Sequence, residues 1–390
     1  MDKIGKFFKG IKKNVFVLGV ASFLTDISSE MLYPVIPIFL TSVLGAPMSV
    51  VGLIEGIAES TASVLKAFSG WLSDKIGRRQ PFVVWGYALS SIAKPILFFA
   101  YAWPIVLLSR FLDRLGKGLR TSPRDAMIAD STDAQFRGKA FGLHRAMDTL
   151  GAILGPLLVI YFLTGLKENI RIVFLIAFVP AALAVLTLIF FLKEAHSSVR
   201  ARNGIKGIDL KTFGPGFKQF LFASSIFAIG NSSDAFLIVR SKQLGMSLTT
   251  VILAYVLYNI SYSAFSTPFG VLSDRIPRKK VMILGYIVFA LVYIGFAFVK
   301  SSAVVWVLFL VYGFYMAMTD GVGKALISDL VAKEYRATAL GLYHFVLGIF
   351  AFFASLIAGL LWTHIGVSAP FIYGASASLA SCFILAFLVK

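Results

Sequence analysis

The sequence is poor in charged residues, histidine and cysteine. Only 14% of its 390 residues are charged, whereas 58% are hydrophobic. The single cysteine, Cys382, excludes an internal disulfide bond, and four scattered histidines do not form a metal cluster. An apolar excess of this size cannot be buried in the core of a soluble protein. The composition therefore predicts an integral membrane protein.

Nucleotide-binding and metal-hydrolase motifs are also missing. The sequence has no P-loop, no Gly-x-Gly-x-x-Gly after a strand and no His-Glu-x-x-His. We therefore expect no enzyme active site, no cofactor and no bound metal, although an acid- and serine-lined metal site around Asp26, Asn231 and Asp234 stays open. Without a nucleotide site, any uphill movement across the membrane must draw on an ion gradient or on the gradient of a solute.

Twelve apolar segments recur along the chain, and they predict an all-α fold of twelve transmembrane helices. About 20 helical residues cross the roughly 30 Å hydrocarbon core. The first segment is too long for the apolar part of a signal peptide, so we expect it to stay in the mature protein. The predicted spans are residues 14–40, 48–73, 82–100, 104–131, 138–163, 172–192, 218–241, 248–272, 281–299, 303–331, 337–363 and 369–389.

The location of the basic residues in the predicted loops explains the net charge of +18. With both termini inside, most lysines and arginines fall on the cytoplasmic side, as the positive-inside rule requires. We therefore expect an inner (plasma) membrane protein with both termini in the cytoplasm, and no nucleic-acid partner. The cytoplasmic cations are Lys3, Lys6, Lys9, Lys12, Lys13, Lys75, Arg78, Arg79, Arg137, Lys139, those of 193–218 and 275–280, Lys333 and Arg336; the opposite loops carry Lys167, Arg171, Arg240, Lys242 and Lys300.

The chain repeats itself after about 200 positions. Four matches in the same order indicate a duplication, and two like halves leave a pathway between them, as in transporters. The polar stretch 193–217 then links two pseudo-symmetric six-helix bundles, 1–192 and 218–390. The matched segments are 70–79 (GWLSDKIGRR) with 270–279 (GVLSDRIPRK), 126–130 with 325–329, 137–143 with 336–342, and 28–30 with 232–234.

These motifs make the chain resemble the major facilitator superfamily over its whole length. Within that family it is most similar to the twelve-span drug:proton antiporters, tetracycline exporters included. The loop motif of the family, Gly-x-x-x-Asp-Arg/Lys-x-Gly-Arg/Lys-Arg/Lys, is complete at 70–79, and the second copy has Pro277 in place of glycine. The resemblance implies that Asp74 and Asp274, with the basic residues Arg78, Arg79 and Arg278, latch the cytoplasmic side. The alternative is that these basic loops only anchor to anionic lipid.

Three spans carry further family motifs. Asp26 precedes Pro34-Val35-Ile36-Pro37, similar to the aspartate and Pro-x-x-Pro of the exporters. The run 110–112 (RFL) looks like the start of the proton-linked arginine motif, with Asp113-Arg114 in place of Gln-Gly. Span 5 has the antiporter spacing of small residues, with Val159 and Ile160 at two glycine positions. We expect close helix packing at Gly142, Gly151 and Gly155 and a bend at Pro156.

Span 4 carries an unusual stripe of charges. The steps between them are 3, 4, 3 and 4, so all lie on one helical face. Each would cost about 3 kcal/mol against lipid, so the stripe must face protein or a water-filled cavity. Residues 122–125 (SPRD) allow either a break, which would create an anion site at a helix N-terminus, or a proline kink, which we favour. The stripe consists of Arg110, Asp113, Lys117, Arg120 and Arg124.

Span 1 supplies counter-charges. Asp26 and Glu30 lie one turn apart, and the depths of Glu30 and Asp113 agree within about 2 Å, so Glu30 can reach Arg110 or Arg114. A carboxylate beside an arginine can carry a proton, because protonation breaks the pair. We therefore expect proton coupling at Asp26, Glu30, Arg110 and Asp113. The alternatives are substrate contact or a permanent ion pair, and a paired or snorkelling role is expected for Lys66 and Lys94.

The C-terminal half has fewer charges and more tyrosines. One face of span 8 carries Tyr255, Tyr258 and Asn259, and span 10 carries Tyr312 and Tyr315. Such stripes often serve packing, but opposite a cationic wall they suit an organic anion or a singly charged amphiphile. The predicted substrate-binding residues are Lys117, Arg120, Arg124, Asp234, Tyr255, Tyr258 and Asn259.

The sequence thus predicts a proton-coupled secondary transporter that works by alternating access and exports a small organic solute. We expect it to act as a monomer in the bilayer, with the solute and protons as its partners. Uptake or exchange of an anionic metabolite or metal chelate is the alternative transport function. A transport-dead sensor, or a membrane enzyme using His144 and Asp148, is the alternative from another class.

Overall fold

The computed structural model describes residues 12–133, 136–165, 169–194, 213–332 and 335–388. Throughout these ranges the regular structure is helical, without strands. Lys3, Lys6, Lys9, Lys167, Lys333 and most of the predicted linker, 195–212, lie outside the described residues. The all-α prediction is confirmed for the part of the chain that is described.

Helical segments occupy all twelve predicted spans, with ends within about three residues of the prediction. Eleven of them are long and apolar enough to cross a membrane, and α4 is long enough but too charged to qualify on composition. The protein is therefore a multi-pass membrane protein. The segments are α1 Lys13–Val43, α2 Met48–Ile76, α3 Gln80–Phe98, α4 Trp103–Asp130, α5 Arg137–Gly165, α6 Ile170–Phe191, α7 Pro215–Gln243, α8 Leu248–Arg275, α9 Arg278–Phe298, α10 Ser302–Leu330, α11 Arg336–His364 and α12 Ala369–Leu388.

Two of these segments are interrupted, which the apolar patterns of the sequence did not indicate. The α-helix of α1 ends at Leu32, resumes at Ile36–Ile38 and continues as a π-helical turn over Phe39–Val43. Pro34 and Pro37 lack backbone N–H donors, which accounts for a break at this place. In α7 the helix stops at Gly230 and resumes at Ala235.

α4, in contrast, is continuous through Pro123. The Ser122 hydroxyl does not cap a new helix but donates to the Lys66 carbonyl oxygen at 2.7 Å. The break considered for span 4, and the anion site that it would have created, are therefore wrong. The alternative of a proline within a continuous helix is correct.

The chain divides into two compact units by its internal contacts. The first unit contains residues 1–33 and 64–204, and the second contains residues 34–63 and 205–390. The predicted bundles 1–192 and 218–390 and their pseudo-symmetry stay predictions. Large apolar side chains are exposed on both units, as lipid-facing surfaces require; examples are Tyr161 and Phe190 in the first and Leu291 and Phe387 in the second.

Small residues bring α3 and α4 together in the first unit. A Cβ atom built on Gly86 would lie 2.6 Å from the Arg120 Cβ, and one on Gly116 would lie 2.7 Å from the Ser90 Oγ. Two serine hydroxyls cross the same contact: Ser90 donates to the Asp113 carbonyl at 2.9 Å and Ser109 to the Ala93 carbonyl at 2.6 Å. Close approach of the backbones encloses the charged face of α4.

α1 and α5 also pack through glycine. A Cβ on Gly151 would lie 2.9 Å from the Asp26 Cβ, and one on Gly155 would lie 3.0 Å from the Glu30 Cβ. The predicted packing role is confirmed for these two residues. It is wrong for Gly142, where an added Cβ would meet no atom within 4 Å.

The second unit has an aromatic core and its own glycine contact. Phe227 stacks on Tyr286 with ring centres 4.0 Å apart, and Phe289 stacks on Tyr293 at 3.9 Å. The first half of α2 meets α11, where a Cβ on Gly56 would lie 2.8 Å from the Phe352 carbonyl oxygen. Aromatic stacking and close backbone contact therefore hold this unit together, with few charges inside it.

We expect Gly86→Ala to destabilise the protein and Gly142→Ala to be tolerated. The added methyl group at Gly86 meets the backbone and Cβ of α4, and such overpacking typically costs about 1–3 kcal/mol. At Gly142 the methyl group meets open space, and alanine favours a helix over glycine by up to about 1 kcal/mol. Thermal unfolding of both variants in detergent measures the difference. Equal midpoints would show that the α3–α4 contact yields without cost.

Candidate functional site

Three of the five charged residues on one face of α4 are buried inside the first unit. Arg110, Asp113 and Arg120 are each more than nine-tenths buried, whereas Lys117 is exposed. Arg114, beside the stripe, is also buried. Burial keeps Arg110, Asp113 and Arg120 away from lipid. Lys117 is the most exposed member of the stripe, and what it faces stays a prediction.

Asp113 forms a buried ion pair with Lys94 of α3. The Lys94 Nζ donates to the Asp113 Oδ1 at 3.0 Å and to the Ser29 Oγ at 3.0 Å. Lys94 is only 2% exposed, so the expectation that it is paired is correct and snorkelling is excluded. Its place in the site was missed, although a lone lysine within an apolar span was the available signal. The pair joins α3, α4 and, through Ser29, α1.

Arg120 contributes to the packing of α3 on α4. Its Nη1 donates to the Ser90 Oγ and, at 3.4 Å, to the Gly86 carbonyl oxygen, and its guanidinium carbon lies 4.5 Å from the centre of the Tyr87 ring. These groups all belong to α3. A role for Arg120 toward a substrate stays a prediction.

Arg124 lies between α4 and α1. Its Nε donates to the Asp125 Oδ1 at 2.9 Å and its Nη1 to the Ser22 Oγ at 3.0 Å. Ser22 is one turn before Asp26 on α1. The charged groups that act most strongly on the Asp26 carboxyl are those of Asp148, Lys117, Glu30 and Arg124.

Asp26 and Glu30 therefore lie within a network of charges from three helices. Both carboxyls are partly buried and lie on the α1 face that meets Gly151 and Gly155 of α5. The predicted reach of Glu30 to Arg110 or Arg114 stays a prediction. Arg110 and Asp113, the other two predicted coupling residues, lie in the same unit, where Asp113 pairs with Lys94.

Two arginines tie helix ends together at the repeated loops. Arg79 donates to Asp74 at 2.9 Å and pairs with Asp130, joining the ends of α2 and α4. In the second unit Arg278 donates to Asp274 at 3.1 Å and pairs with Asp329 at 2.9 Å, joining α8 and α10. The predicted pairing of Asp74 and Asp274 with nearby cations is thus seen in both loops.

The two loops differ by one residue, which corrects the repeat alignment. Gly77 has φ +72°, and its N–H donates to the Ser73 carbonyl at 2.9 Å to end α2. Pro277 has φ −51° and directly precedes α9. Proline cannot adopt the conformation of Gly77, so the second loop is shorter. Arg278 therefore corresponds to Arg79 in its contacts, and Arg78 is exposed.

The second unit brings Asp234 together with tyrosines. The Tyr312 hydroxyl donates to the Asp234 Oδ1 at 2.7 Å, and the Tyr312 ring centre lies 5.2 Å from that of Tyr258. Tyr255 follows at 5.6 Å from Tyr258. Asn259 donates to the Tyr255 carbonyl on its own helix at 3.3 Å. Of the four substrate-binding residues predicted in this unit, Asp234, Tyr255 and Tyr258 thus form one cluster with Tyr312. Separately, the described residues contain no group of three side chains that could hold a metal ion.

A family model decides the identification. The model of the Major Facilitator Superfamily matches residues 18–239 and 219–390. The chain belongs to the major facilitator superfamily. An uncharacterized MFS-type transporter of Methanocaldococcus jannaschii is 40% identical over 97% of this chain and 95% of its own length. The quinolone resistance protein NorA of Staphylococcus aureus is 27% identical over 37% of each chain.

Two solved transporters have the same fold. The nucleoside transporter NupG covers 97% of this chain and 100% of its own, with a TM-score of 0.77 and 16% identity. A POT family transporter in complex with 5-aminolevulinic acid covers 98% and 97%, with a TM-score of 0.81 and 14% identity. The predicted family is confirmed, and it supports membrane transport as the function of this chain.

Replacing either partner of the Lys94–Asp113 pair is expected to destabilise the protein, and the two single variants are expected to lose different amounts of stability. Asp113 also interacts with Arg114 and Arg110, so its carboxylate keeps cationic neighbours in Lys94→Met, whereas Asp113→Asn leaves several cations facing each other. Breaking a buried pair typically costs about 3–5 kcal/mol. We expect a loss of this size for Asp113→Asn and a smaller one for Lys94→Met.

The double variant is expected to be more stable than Asp113→Asn alone, because it removes a cation that has lost its partner. Unfolding in detergent measures all three, with the exposed Asp133→Asn as a control. Additive losses in the double variant would contradict an energetic coupling of the two residues.

Proposed function

We propose that this protein is a proton-coupled secondary transporter that exports a small organic solute by alternating access. The observation that supports this proposal most is the position of Asp26 and Glu30. The two carboxyls of α1 lie against α5, and that of Asp26 interacts with Lys117 and Arg124 of α4 within a segment that is otherwise apolar. Ionisable groups placed this deep are costly and are characteristic of ion and substrate pathways.

Protonation of Asp26 changes the balance of this network. The ionised carboxyl attracts Lys117 and Arg124 on α4 and repels Asp148 and Glu30. A proton on Asp26 removes both effects, so α1 and α4 lose attraction while α1 and α5 lose repulsion. A ligand or a proton that binds one conformation better shifts the protein toward it. Coupling then follows when the solute and the proton prefer opposite conformations.

The repeated loops serve as the gate in this proposal. Arg79 and Arg278 each join the ends of two helices through two aspartates. These pairs hold the helix ends together in one conformation and separate in the other. The predicted cytoplasmic position of the loops follows from the positive-inside rule, and the role of Asp74 and Asp274 as latches follows from the family resemblance.

The solute is proposed to carry an anionic group that faces Lys117 and Arg124. Lys117 is the exposed member of the α4 stripe, and the arginines on either side of it are more deeply buried. Asp234 and its tyrosines are the proposed contact in the second unit. Export is supported by the partial similarity to NorA; uptake or exchange of an anionic metabolite is the second candidate, favoured by the same exposed lysine.

The test starts from the compound classes named for similar proteins. A quinolone (norfloxacin), a nucleoside (uridine) and 5-aminolevulinic acid are screened by thermal shift on the purified protein, together with small organic anions. A compound that raises the unfolding midpoint is then loaded into proteoliposomes, and its movement is followed with and without an imposed pH gradient. A proton-coupled transporter concentrates the compound only with the gradient, whereas a sensor moves nothing and an enzyme alters the compound.

Asp26→Asn and Glu30→Gln are expected to lower pH-driven transport at least about tenfold, because the proton loses its binding group, a loss that corresponds to about 1.4 kcal/mol or more. Exchange of labelled for unlabelled solute, which needs no net proton movement, is expected to persist. Glu59→Gln, which also removes a carboxyl from a membrane helix, is the matched control. Unchanged pH-driven transport in both α1 variants would refute the coupling assignment.

A further inference from the structure

A histidine–aspartate pair on α5 lies beside the coupling residues, and the function proposed above assigns no proton transfer to it. The His144 Nδ1 is 3.4 Å from the Asp148 Oδ2, one helical turn away. His144 is 4% exposed. The remaining side-chain atom of each residue, the His144 Nε2 and the Asp148 Oδ1, is buried without a hydrogen-bond partner among the described residues. Buried polar atoms of this kind require an explanation.

His144 and Asp148 on α5 continue a row of titratable groups that begins with the carboxyls of Glu30 and Asp26 on α1. Contacts between α1 and α5 advance together along both helices, with Met147 against Gly19, Gly151 against Asp26 and Gly155 against Glu30. The two helices therefore run parallel. Asp148 lies three residues before Gly151, on the same face and one turn away. Among the charged groups around Asp26, Asp148 acts on it most strongly.

Four titratable groups thus follow each other along this contact. Glu30 and Asp26 are one turn apart on α1, Asp148 faces Asp26 from α5, and His144 is one turn from Asp148. Each step corresponds to a helical turn of about 5.4 Å or to a contact between the two helices. His144 is the member nearest to the start of α5, seven residues after Arg137 (144 minus 137), or about 10 Å along the helix.

The charges that surround His144 and Asp148 come from three helices. Arg124 and Asp125 of α4 and Arg145 of α5 act on His144, together with Asp148. From α1 the facing group is Asp26, on which Lys117 of α4 and Glu30 of α1 also act. α6, which packs on both α1 and α5, carries a single charged residue, Arg171, whose guanidinium donates to the Phe98 and Ala100 carbonyls at the end of α3.

We propose that Asp148 and His144 carry protons between the coupling carboxyls and the Arg137 end of α5. This proposal rests on the proposed function. A proton leaves the Asp26 carboxyl for the Asp148 carboxylate, which becomes a neutral acid while Asp26 becomes an anion. Asp148 then gives the proton to the imidazole of His144, which becomes a cation and releases the proton from its other nitrogen. The number of protons and the total charge are the same before and after each step.

The row formed by Glu30, Asp26, Asp148 and His144 explains why His144 and Asp148 do more than pack one helix against another. Neighbouring carboxylates repel each other, so a proton on one of them lowers the energy of the row. Imidazole accepts and releases protons near neutral pH more readily than other side chains. A histidine at the end of a row of carboxyls is therefore suited to exchange protons with the exterior of the unit.

The first test measures the protonation of His144 directly and needs no solute. The full chain is labelled with ¹⁵N-histidine, reconstituted in phosphatidylcholine vesicles and followed by solid-state NMR between about pH 3 and pH 9. The sequence has four histidines, and the signal that disappears in His144→Gln is assigned to His144. We expect this signal to titrate in the wild type and its midpoint to fall by roughly half a unit or more in Asp26→Asn, because a neighbouring negative charge is removed.

The control for this titration is Glu59→Gln, in which the His144 midpoint is expected to stay unchanged. A His144 signal that does not titrate, or that titrates identically in the wild type and in Asp26→Asn, would overturn the proton path. Because the wild-type titration is itself informative, a variant that fails to fold does not remove the test.

The second test separates this proposal from the function on which it rests. In proteoliposomes, His144→Gln and Asp148→Asn are expected to slow pH-driven transport about tenfold or more while solute exchange without a pH gradient persists. Absence of pH-driven transport in the wild type would refute the proposed function. Normal pH-driven transport in both variants, with a pH-driven wild type, would refute the path alone.

Discussion

A charge inside the hydrocarbon region must be compensated by its neighbours, and this constraint shapes the first unit. α4 carries cations at a spacing that places them on one face. Lys94 compensates Asp113, Arg120 is held by α3, and Arg124 binds α1 and its neighbour Asp125. Without glycine and serine at the α3–α4 contact, the helices could not approach closely enough to make these pairs.

In the proposed function, the same constraint makes this site responsive to protons. Asp26, Glu30 and Asp148 lie where two helices meet through glycine, and their charges act on one another and on α4. A proton added to this group changes the attraction between helices that are packed in contact, so a local event alters the packing of a whole segment. In the second unit Asp234 accepts a hydrogen bond from Tyr312, whose ring packs on Tyr258. Aromatic contacts, not a dense charge network, characterise this part of the unit.

The sequence predicted the helices well because apolar length and loop charge depend on one segment at a time. Contacts between side chains of different helices were harder to predict from the sequence. The ion pair between Lys94 and Asp113 was not predicted, because residue spacing along α4 does not show which face of α3 is turned toward it. Gly142 was grouped with Gly151 and Gly155 by motif, yet it faces open space. The one-residue difference at Pro277 was hidden by an alignment without gaps, and the breaks in α1 and α7 interrupt apolar runs that hydropathy reads as continuous.

In the proposed function, the solute and the proton favour opposite conformations of the protein, and the proton acts through the carboxyls of the first unit. The most direct measurement is the proton balance of solute binding. A compound that stabilises the purified protein is added in weakly buffered detergent solution near neutral pH, and the change in pH is recorded. We predict that binding releases protons in the wild type and that the release is lost when Asp26 is replaced by asparagine. Binding that leaves the pH unchanged in the wild type at every starting pH would contradict the claim.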